Sequence, residues 1–195
     1  MAEEKVSSEK NTKKTEKTVS KDLDYIKSKI TKHENFPKEG VLFYDIFPAL
    51  RDSKCLDMII TRLLSHIYDE FGNKVDVICG LDSRGFLFGT VLSLRMGIAF
   101  VPIRKKGKLP GKCISLKSTK EYGSDVLEIQ SDAILPGQSV ILVDDLLATG
   151  GTLNSSVQLI QFLNATVLEC IVIIELLQLK GRDKVPSSVF SLLSF

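Results

Sequence analysis

With 195 residues, 44% of them apolar, and a mean hydropathy of +0.10, the chain has enough to bury for one full globular core, which excludes a wholly disordered or fibrous protein. The formal net charge is +2 and has a local origin: up to Lys21 six lysines face four glutamates, leaving twenty basic and twenty acidic residues in the remainder. A neutral body argues against nucleic acid as a partner, and no apolar run is long enough to span a membrane.

The polar opening has no hydrophobic stretch of the signal-peptide kind, and with glutamates and no arginine it does not read as a mitochondrial presequence. Cys55, Cys79, Cys113 and Cys170 are far apart, with no CxxC and no neighbouring histidine pair. They predict free thiols in a reducing, cytoplasmic setting rather than a zinc or redox site.

Residues 1–20, rich in Lys, Glu, Ser and Thr, predict a disordered tail ahead of a single domain over 21–195. From Asp22 the spacing of Leu23, Ile26 and Ile30 fits a short amphipathic helix that ends before Phe36-Pro37, with Pro37 and Gly40 marking a turn. Val41 to Phe47 is too short and interrupted to assign, and Pro48 ends it. Asp52 or Ser53 caps a helix whose stripe is Leu56, Ile59, Ile60, Leu63, Leu64 and Ile67. Val75 to Cys79 predicts a strand running into Gly80-Leu81-Asp82-Ser83-Arg84-Gly85, then a helix from Gly85 to Met96.

Ile98 to Ile103 predicts the next strand, followed at once by Arg104, Lys105, Lys106 and Lys108. Basic runs usually mark a solvated face, but one at a strand's carboxyl end is placed to neutralise a polyanion. Lys112 to Asp125 shows no periodicity and predicts a long functional loop or lid. Strands are then expected at Val126 to Gln130, Val167 to Leu177 and Val189 to Phe195, with a polar loop from Leu179 to Pro186. Strands alternating with helices give a doubly wound, mostly parallel α/β sheet with helices on both faces.

The central stretch is Val140 to Thr152, VILVDDLLATGGT. Val140 to Val143 predicts a buried strand with Asp144 and Asp145 at its end, where ligands bind in open parallel sheets. Thr149, Gly150, Gly151 and Thr152 then open a helix to about Asn164, so backbone N–H groups and two hydroxyls can close round a phosphate. Two acids beside a phosphate cradle suit a sugar phosphate, because carboxylates accept hydrogen bonds from a vicinal diol. The stretch is neither a GxxxxGK[ST] loop nor GxGxxG. The plain alternative is a buried strand with a solvated acid pair and an ordinary helix start.

An apolar strand, Asp-Asp and TGGT together resemble the phosphoribosyl pyrophosphate (PRPP) motif of the type I phosphoribosyltransferases. GLDSRGFLFG from Gly80, IRKKGKLPG from Ile103, EYGSDVLEIQ from Glu121 and LKGR from Leu179 make the chain most similar, after about residue 34, to the adenine phosphoribosyltransferase family. The resemblance implies the type I fold with a small N-terminal hood, a cytoplasmic homodimer, and a purine salvage reaction of adenine and PRPP giving AMP and pyrophosphate. It also implies Mg2+ bound mainly through PRPP oxygens, with no protein metal site.

On the same resemblance Asp144 and Asp145 hold the ribose hydroxyls, and Ala148, Thr149, Gly150, Gly151 and Thr152 the 5-phosphate. The Leu81 to Arg84 turn, with Ser83 and Arg84, holds pyrophosphate, with Arg104, Lys105 and Lys108 adding charge, some of it across a dimer interface. Glu121 and Tyr122 match the family's lid, Glu121 being the acid/base candidate. Leu42, Tyr44 and Leu146 lie about the adenine. Two residues depart from the pattern: Tyr44 stands where the family usually has Arg, and Lys120 where an apolar residue commonly precedes Glu-Tyr-Gly. Three alternatives remain open at this point: transfer to another purine, a PRPP-binding regulator without catalysis, and a fragment of a PRPP synthetase.

Overall fold

The computed structural model describes residues 18–120 and 123–195, and the chain divides into two compact units, Met1–Ile59 and Ile60–Phe195. In the first unit residues 18–28 form helix α1, so helix already occupies 18–20, which the composition grouped with the tail; the expectation for 1–17 lies outside the described residues. Ile26 and Ile30 are buried. The Tyr25 hydroxyl donates to Asp52 Oδ2 at 2.6 Å and Lys29 Nζ meets the same oxygen at 2.8 Å. Asp52 Oδ1 accepts the N–H groups of Lys54 and Cys55, which makes Asp52 the cap of α3, Ser53–Phe71. Lys29, then Tyr25, then the Cys55 amide hold its carboxyl well below the usual carboxylate range.

Between α1 and α3 lies a two-stranded antiparallel sheet that the sequence did not suggest in full. β1, Thr31–Glu34, pairs with β2, Leu42–Asp45, from Thr31↔Asp45 to Glu34↔Leu42. Asn35 Oδ1 accepts the Gly40 N–H at 2.9 Å, and Gly40 takes φ +81°, a conformation glycine adopts without strain. Pro48 does not simply end the strand: it sits in the first turn of the short helix α2, Phe47–Arg51, where its missing N–H costs nothing.

The second unit carries a seven-stranded sheet, and the further strands are β3 Val77–Leu81, β4 Ala99–Lys105, β5 Cys113–Lys120, β6 Gly123–Gln130, β7 Ser139–Leu147, β8 Thr166–Glu175 and β9 Val189–Ser194. Their spatial order is β5-β6-β4-β3-β7-β8-β9. β4, β3, β7, β8 and β9 run parallel, and the β5–β6 hairpin is added antiparallel beyond β4. The expected structureless lid over Lys112 to Asp125 is therefore largely this hairpin: Ile114 and Leu116 turn toward the core while Ser115 and Lys117 are exposed.

Alternate residues of the strands face opposite helices. Val77, Cys79 and Leu81 share a core with Leu142, Leu153, Val157 and Ile160, the last three on α5, Gly151–Phe162. The opposite face meets α4, Gly85–Met96, where Gly89 lies against Phe100 and Ile78. β3-α4-β4 steps one way along the sheet and β7-α5-β8 the other, so the order reverses between β3 and β7, the place where doubly wound sheets bind ligands.

The polar interruptions of β8 are paired. Glu169 meets His66 Nε2 at 2.6 Å, and the imidazole stacks on Phe190 with ring centroids 3.7 Å apart. Cys170 lies in the core, where burial pushes its thiol up to about 12, the behaviour of an unreactive structural cysteine. The polar loop after β8 contains two short 3-10 turns, Leu177–Leu179 and Gly181–Lys184.

Gly85 sets the approach of α4 to β7, because a methyl group there would collide with the Val143 carbonyl oxygen and crowd the Asp144 backbone. Gly85→Ala is expected to cost about 1–3 kcal/mol, the usual scale of overpacking, seen as a lower urea midpoint at unchanged m-value. A midpoint equal to the parent's would mean that α4 moves off β7 freely.

Candidate active site

The reversal between β3 and β7 opens into a cavity of about 720 Å³. Three segments build its walls: the Asp82–Arg84 turn after β3, residues Arg104, Lys105 and Lys108 at the end of β4, and the run from Asp144 to Leu153. Asp125 and Leu127 of β6 complete it. Of the residues singled out in the sequence, Asp144, Asp145, Leu146, Ala148, Thr149, Gly150, Gly151, Thr152, Ser83, Arg84, Arg104, Lys105 and Lys108 all line this one cavity. Leu42 and Tyr44 stand on β2 of the first unit, Leu42 exposed and Tyr44 buried. Glu121 and Tyr122 lie outside the described residues.

β7 is longer than its apolar run, continuing in register with β8 through Asp144↔Val172 to Leu147↔Glu175. The acids are thus strand residues and not the start of a turn, and the pleat sends adjacent side chains to opposite faces. Asp145 is buried and accepts from Arg84 Nε, which ties β7 to the β3 turn. Asp144 Oδ1 accepts the Asp145 N–H at 2.9 Å. Loss of hydration, followed by the neighbouring Asp145 charge, raises the Asp144 carboxyl well above the usual range, so it favours its protonated form.

After Leu147 the chain turns through Ala148 and Thr149 to Gly150, which caps α5 in the left-handed region at φ +80°. The first turn of α5, whose N–H groups have no partner within the helix and whose dipole end is positive, therefore forms part of the cavity wall. Across it, Arg104 Nε donates to Asp82 Oδ2 at 2.9 Å, Arg104 Nη1 donates to the Lys108 carbonyl at 3.3 Å, and Lys105 Nζ reaches Asp125 at 3.3 Å. Four basic and four acidic side chains line the cavity, and three ion pairs, Arg84 to Asp145, Arg104 to Asp82 and Lys105 to Asp125, engage three of each.

Sequence reasoning placed Asp82 in the pyrophosphate turn without giving it a role of its own, and did not single out Asp125 or Glu128. Asp82 was legible as the acid inside GLDSRG, but its pairing with Arg104 depends on β3 and β4 being neighbours. Glu128 is buried, and one of its oxygens accepts the consecutive N–H groups of Gly107, Lys108 and Leu109 at 2.9, 3.2 and 3.2 Å. That carboxylate shapes the basic turn, and nothing in an apolar strand pattern announces it.

A carboxyl whose pKa is higher in the folded chain than in the unfolded one binds its proton more tightly when folded, so the stability it contributes falls as pH rises above about 4, the ordinary carboxylate value. Asp144→Asn removes that ionisation while keeping the Oδ1 acceptor. The variant is expected to melt higher than the parent at neutral pH, with the gap closing toward pH 4. Thermal melts across pH 4–8 check this, and parallel melting curves at every pH would contradict it.

The phosphoribosyl transferase domain model matches residues 49–194. The adenine phosphoribosyltransferase of Yarrowia lipolytica is 52% identical over 170 residues, covering 87% of this chain and 93% of the relative, and the human adenine phosphoribosyltransferase is 47% identical over 175 residues, covering 89% and 97%. The crystal structure of the Saccharomyces cerevisiae adenine phosphoribosyltransferase, complexed with an imino-altritol bisphosphate and adenine, superposes with a TM-score of 0.87 at 44% identity, covering 89% of this chain and 99% of that one. The cavity at the strand reversal, the DD-x3-TGGT wall and these matches across the chain have one meaning: the protein belongs to the phosphoribosyltransferase family, among the adenine phosphoribosyltransferases.

Proposed function

We propose that the protein transfers the 5-phosphoribosyl group of PRPP to adenine, giving AMP and pyrophosphate in purine salvage. The observation that carries this reading is the convergence of the α5 N-terminus, the Asp144-Asp145 pair and the basic turn on one cavity. A helix start with glycines suits a 5-phosphate, two carboxyls suit a ribose diol, and guanidinium and ammonium groups suit pyrophosphate. The same residues would serve a PRPP-binding regulator, but 52% and 47% identity to named adenine phosphoribosyltransferases favours catalysis.

In the proposed reaction the bond from the anomeric carbon to pyrophosphate breaks as the bond to the purine nitrogen forms. Positive charge builds on the ribose while negative charge grows on the departing pyrophosphate. Ala148 to Thr152 hold the 5-phosphate, and Asp144 and Asp145 fix the ribose hydroxyls beneath the reacting carbon. Arg84, Arg104, Lys105 and Lys108 stabilise the leaving group, with Ser83 donating from the β3 turn. Anion binding exchanges the partners of Arg84 and Arg104, which rest on Asp145 and Asp82. On the family resemblance adenine is assigned to the Leu146 side of the cavity. Glu121, on a lid with Tyr122, takes the proton released by the purine, and lid closure keeps water from the cationic sugar.

Magnesium is proposed to arrive with PRPP, coordinated mainly by pyrophosphate oxygens. The cavity residues fit that arrangement, because among the described residues no three His, Cys, Asp or Glu side chains gather as a metal-binding group, which leaves the substrate oxygens as the main ligands. When bound, the ion spreads the charge of the leaving group. We further place the protein in the cytoplasm as a homodimer, on its free cysteines and on the family resemblance.

The test is turnover of PRPP and magnesium with adenine, hypoxanthine and guanine in parallel, following pyrophosphate and identifying the nucleotide. AMP from adenine alone is expected; no product with any base, from protein that still binds PRPP, would favour the regulatory reading. Glu121→Gln is expected to slow adenine turnover by at least about 100-fold, the low end for a general acid/base, and an unchanged kcat would remove Glu121 from that role.

A further inference from the structure

The wall of the 5-phosphate loop rests on a segment that the reaction does not touch. Gly150 and Gly181 meet backbone to backbone: a methyl group on Gly150 would strike the Gly181 carbonyl oxygen, and one on Gly181 would strike the Ala148 carbonyl oxygen. Leu176, ahead of this segment, donates its N–H to the Leu147 carbonyl at 2.9 Å. The loop from Leu147 to Gly150 is therefore backed by the chain from Leu176 to Gly181. Gly181 has no side chain with which to hold its place, and its neighbour Lys180 is exposed, in the left-handed region at φ +49°.

What fixes Gly181 is the next residue. The Arg182 guanidinium forks onto Glu175, with Nε to Oε1 at 3.0 Å and Nη2 to Oε2 at 2.5 Å, and Nη1 donates to the Val189 carbonyl of β9. The Ser191 hydroxyl donates to Glu175 Oε2 at 2.7 Å. Glu175 is buried at the end of β8, opposite Leu147 in register, and Val185 anchors the far side of the turn in the core. A bidentate guanidinium–carboxylate pair fixes direction as well as distance, which an ammonium does not.

We infer that Arg182, with Glu175 and Ser191 behind it, is a positioning residue for the 5-phosphate loop, acting through the Gly181 backbone pressed against Gly150 and Ala148. The inference rests on the proposed PRPP site. It gives the LKGR stretch a selective role, in which the latch sets affinity for the phosphorylated sugar while leaving the pyrophosphate and purine ends of the cavity untouched.

The experiment compares the full-length protein with Arg182→Gln, Arg182→Lys and Ser191→Ala by melting temperature, kinetics, and titration with ribose 5-phosphate and with inorganic pyrophosphate. Arg182→Gln is expected to weaken ribose 5-phosphate binding and raise the PRPP KM by about tenfold, the scale of one misplaced binding contact, with pyrophosphate affinity and the adenine KM within about twofold of the parent. Arg182→Lys, which keeps the charge and loses the fork, should fall between them. If Arg182→Gln does not fold, Ser191→Ala carries the same test, with a smaller loss confined to ribose 5-phosphate. Equal losses for both ligands, or unchanged ribose 5-phosphate binding, would overturn the inference and leave the latch a stability element. A parent protein that binds neither ribose 5-phosphate nor PRPP would instead overturn the proposed function.

Discussion

The cavity exists because backbone touches backbone on two sides of it. Gly85 lets the start of α4 lie on the Val143–Asp144 segment of β7, and Gly150 with Gly181 lets the loop before α5 lie on the turn after β8. A site that grips phosphates with main-chain N–H groups needs helix starts and tight turns packed without intervening side chains, since each Cβ would push the donors outward. The strand order follows the same need. β3 and β7 are neighbours whose crossovers leave in opposite directions, so their carboxyl ends are left uncovered and side by side.

Charge is the second constraint. Opposite charges gathered in one cleft would be costly if each stood alone, and the ion pairs from Arg84 to Asp145, Arg104 to Asp82 and Lys105 to Asp125 spread that cost. The pairs also cross between segments, linking the β3 turn to β7 and to β4, and the β4 end to β6. The walls are held in place by groups that an anionic ligand can recruit. Glu128 adds a fixed element, because a buried carboxylate satisfied by three successive amides holds the turn bearing Lys108 in one shape.

Elements with strong local signals were legible in the sequence. α4 occupies Gly85–Met96 as its flanking glycines and apolar content predict, and the α3 stripe buries Ile59, Ile60, Leu63 and Ile67. Elements whose signal is tertiary were not. β5, CISLKSTK, has period-two alternation confined to Ile114 and Leu116, and its many Ser, Thr and Lys residues read as a loop until β6 is placed beside it. β1 is four exposed residues that owe their strand form to β2. β7 runs past its apolar stretch because β8 keeps pairing with it, which no residue of β7 reveals. Much of the cavity lining was legible too, since Asp144 to Thr152, Arg84 and the basic run belong to contiguous motifs. The roles of Asp82, Asp125 and Glu128 were hidden because their meaning is a partner on another strand.

The departure at Tyr44 shows how the first unit accommodates an exchange of residue type. Where the family usually carries Arg, this chain has a buried tyrosine in the middle of β2. Its cross-strand partner in the antiparallel register is Lys32, whose Nζ lies over the Tyr44 ring, 5.4 Å from the centroid. A cation over an aromatic face is attracted by the ring's negative quadrupole, so the two side chains support each other. Positive charge is thus kept at this position of the small sheet but is delivered from β1 through a ring, and not from β2 by a guanidinium. The ring adds apolar area that an arginine head would not, and it exchanges a five-donor fork for a single hydroxyl.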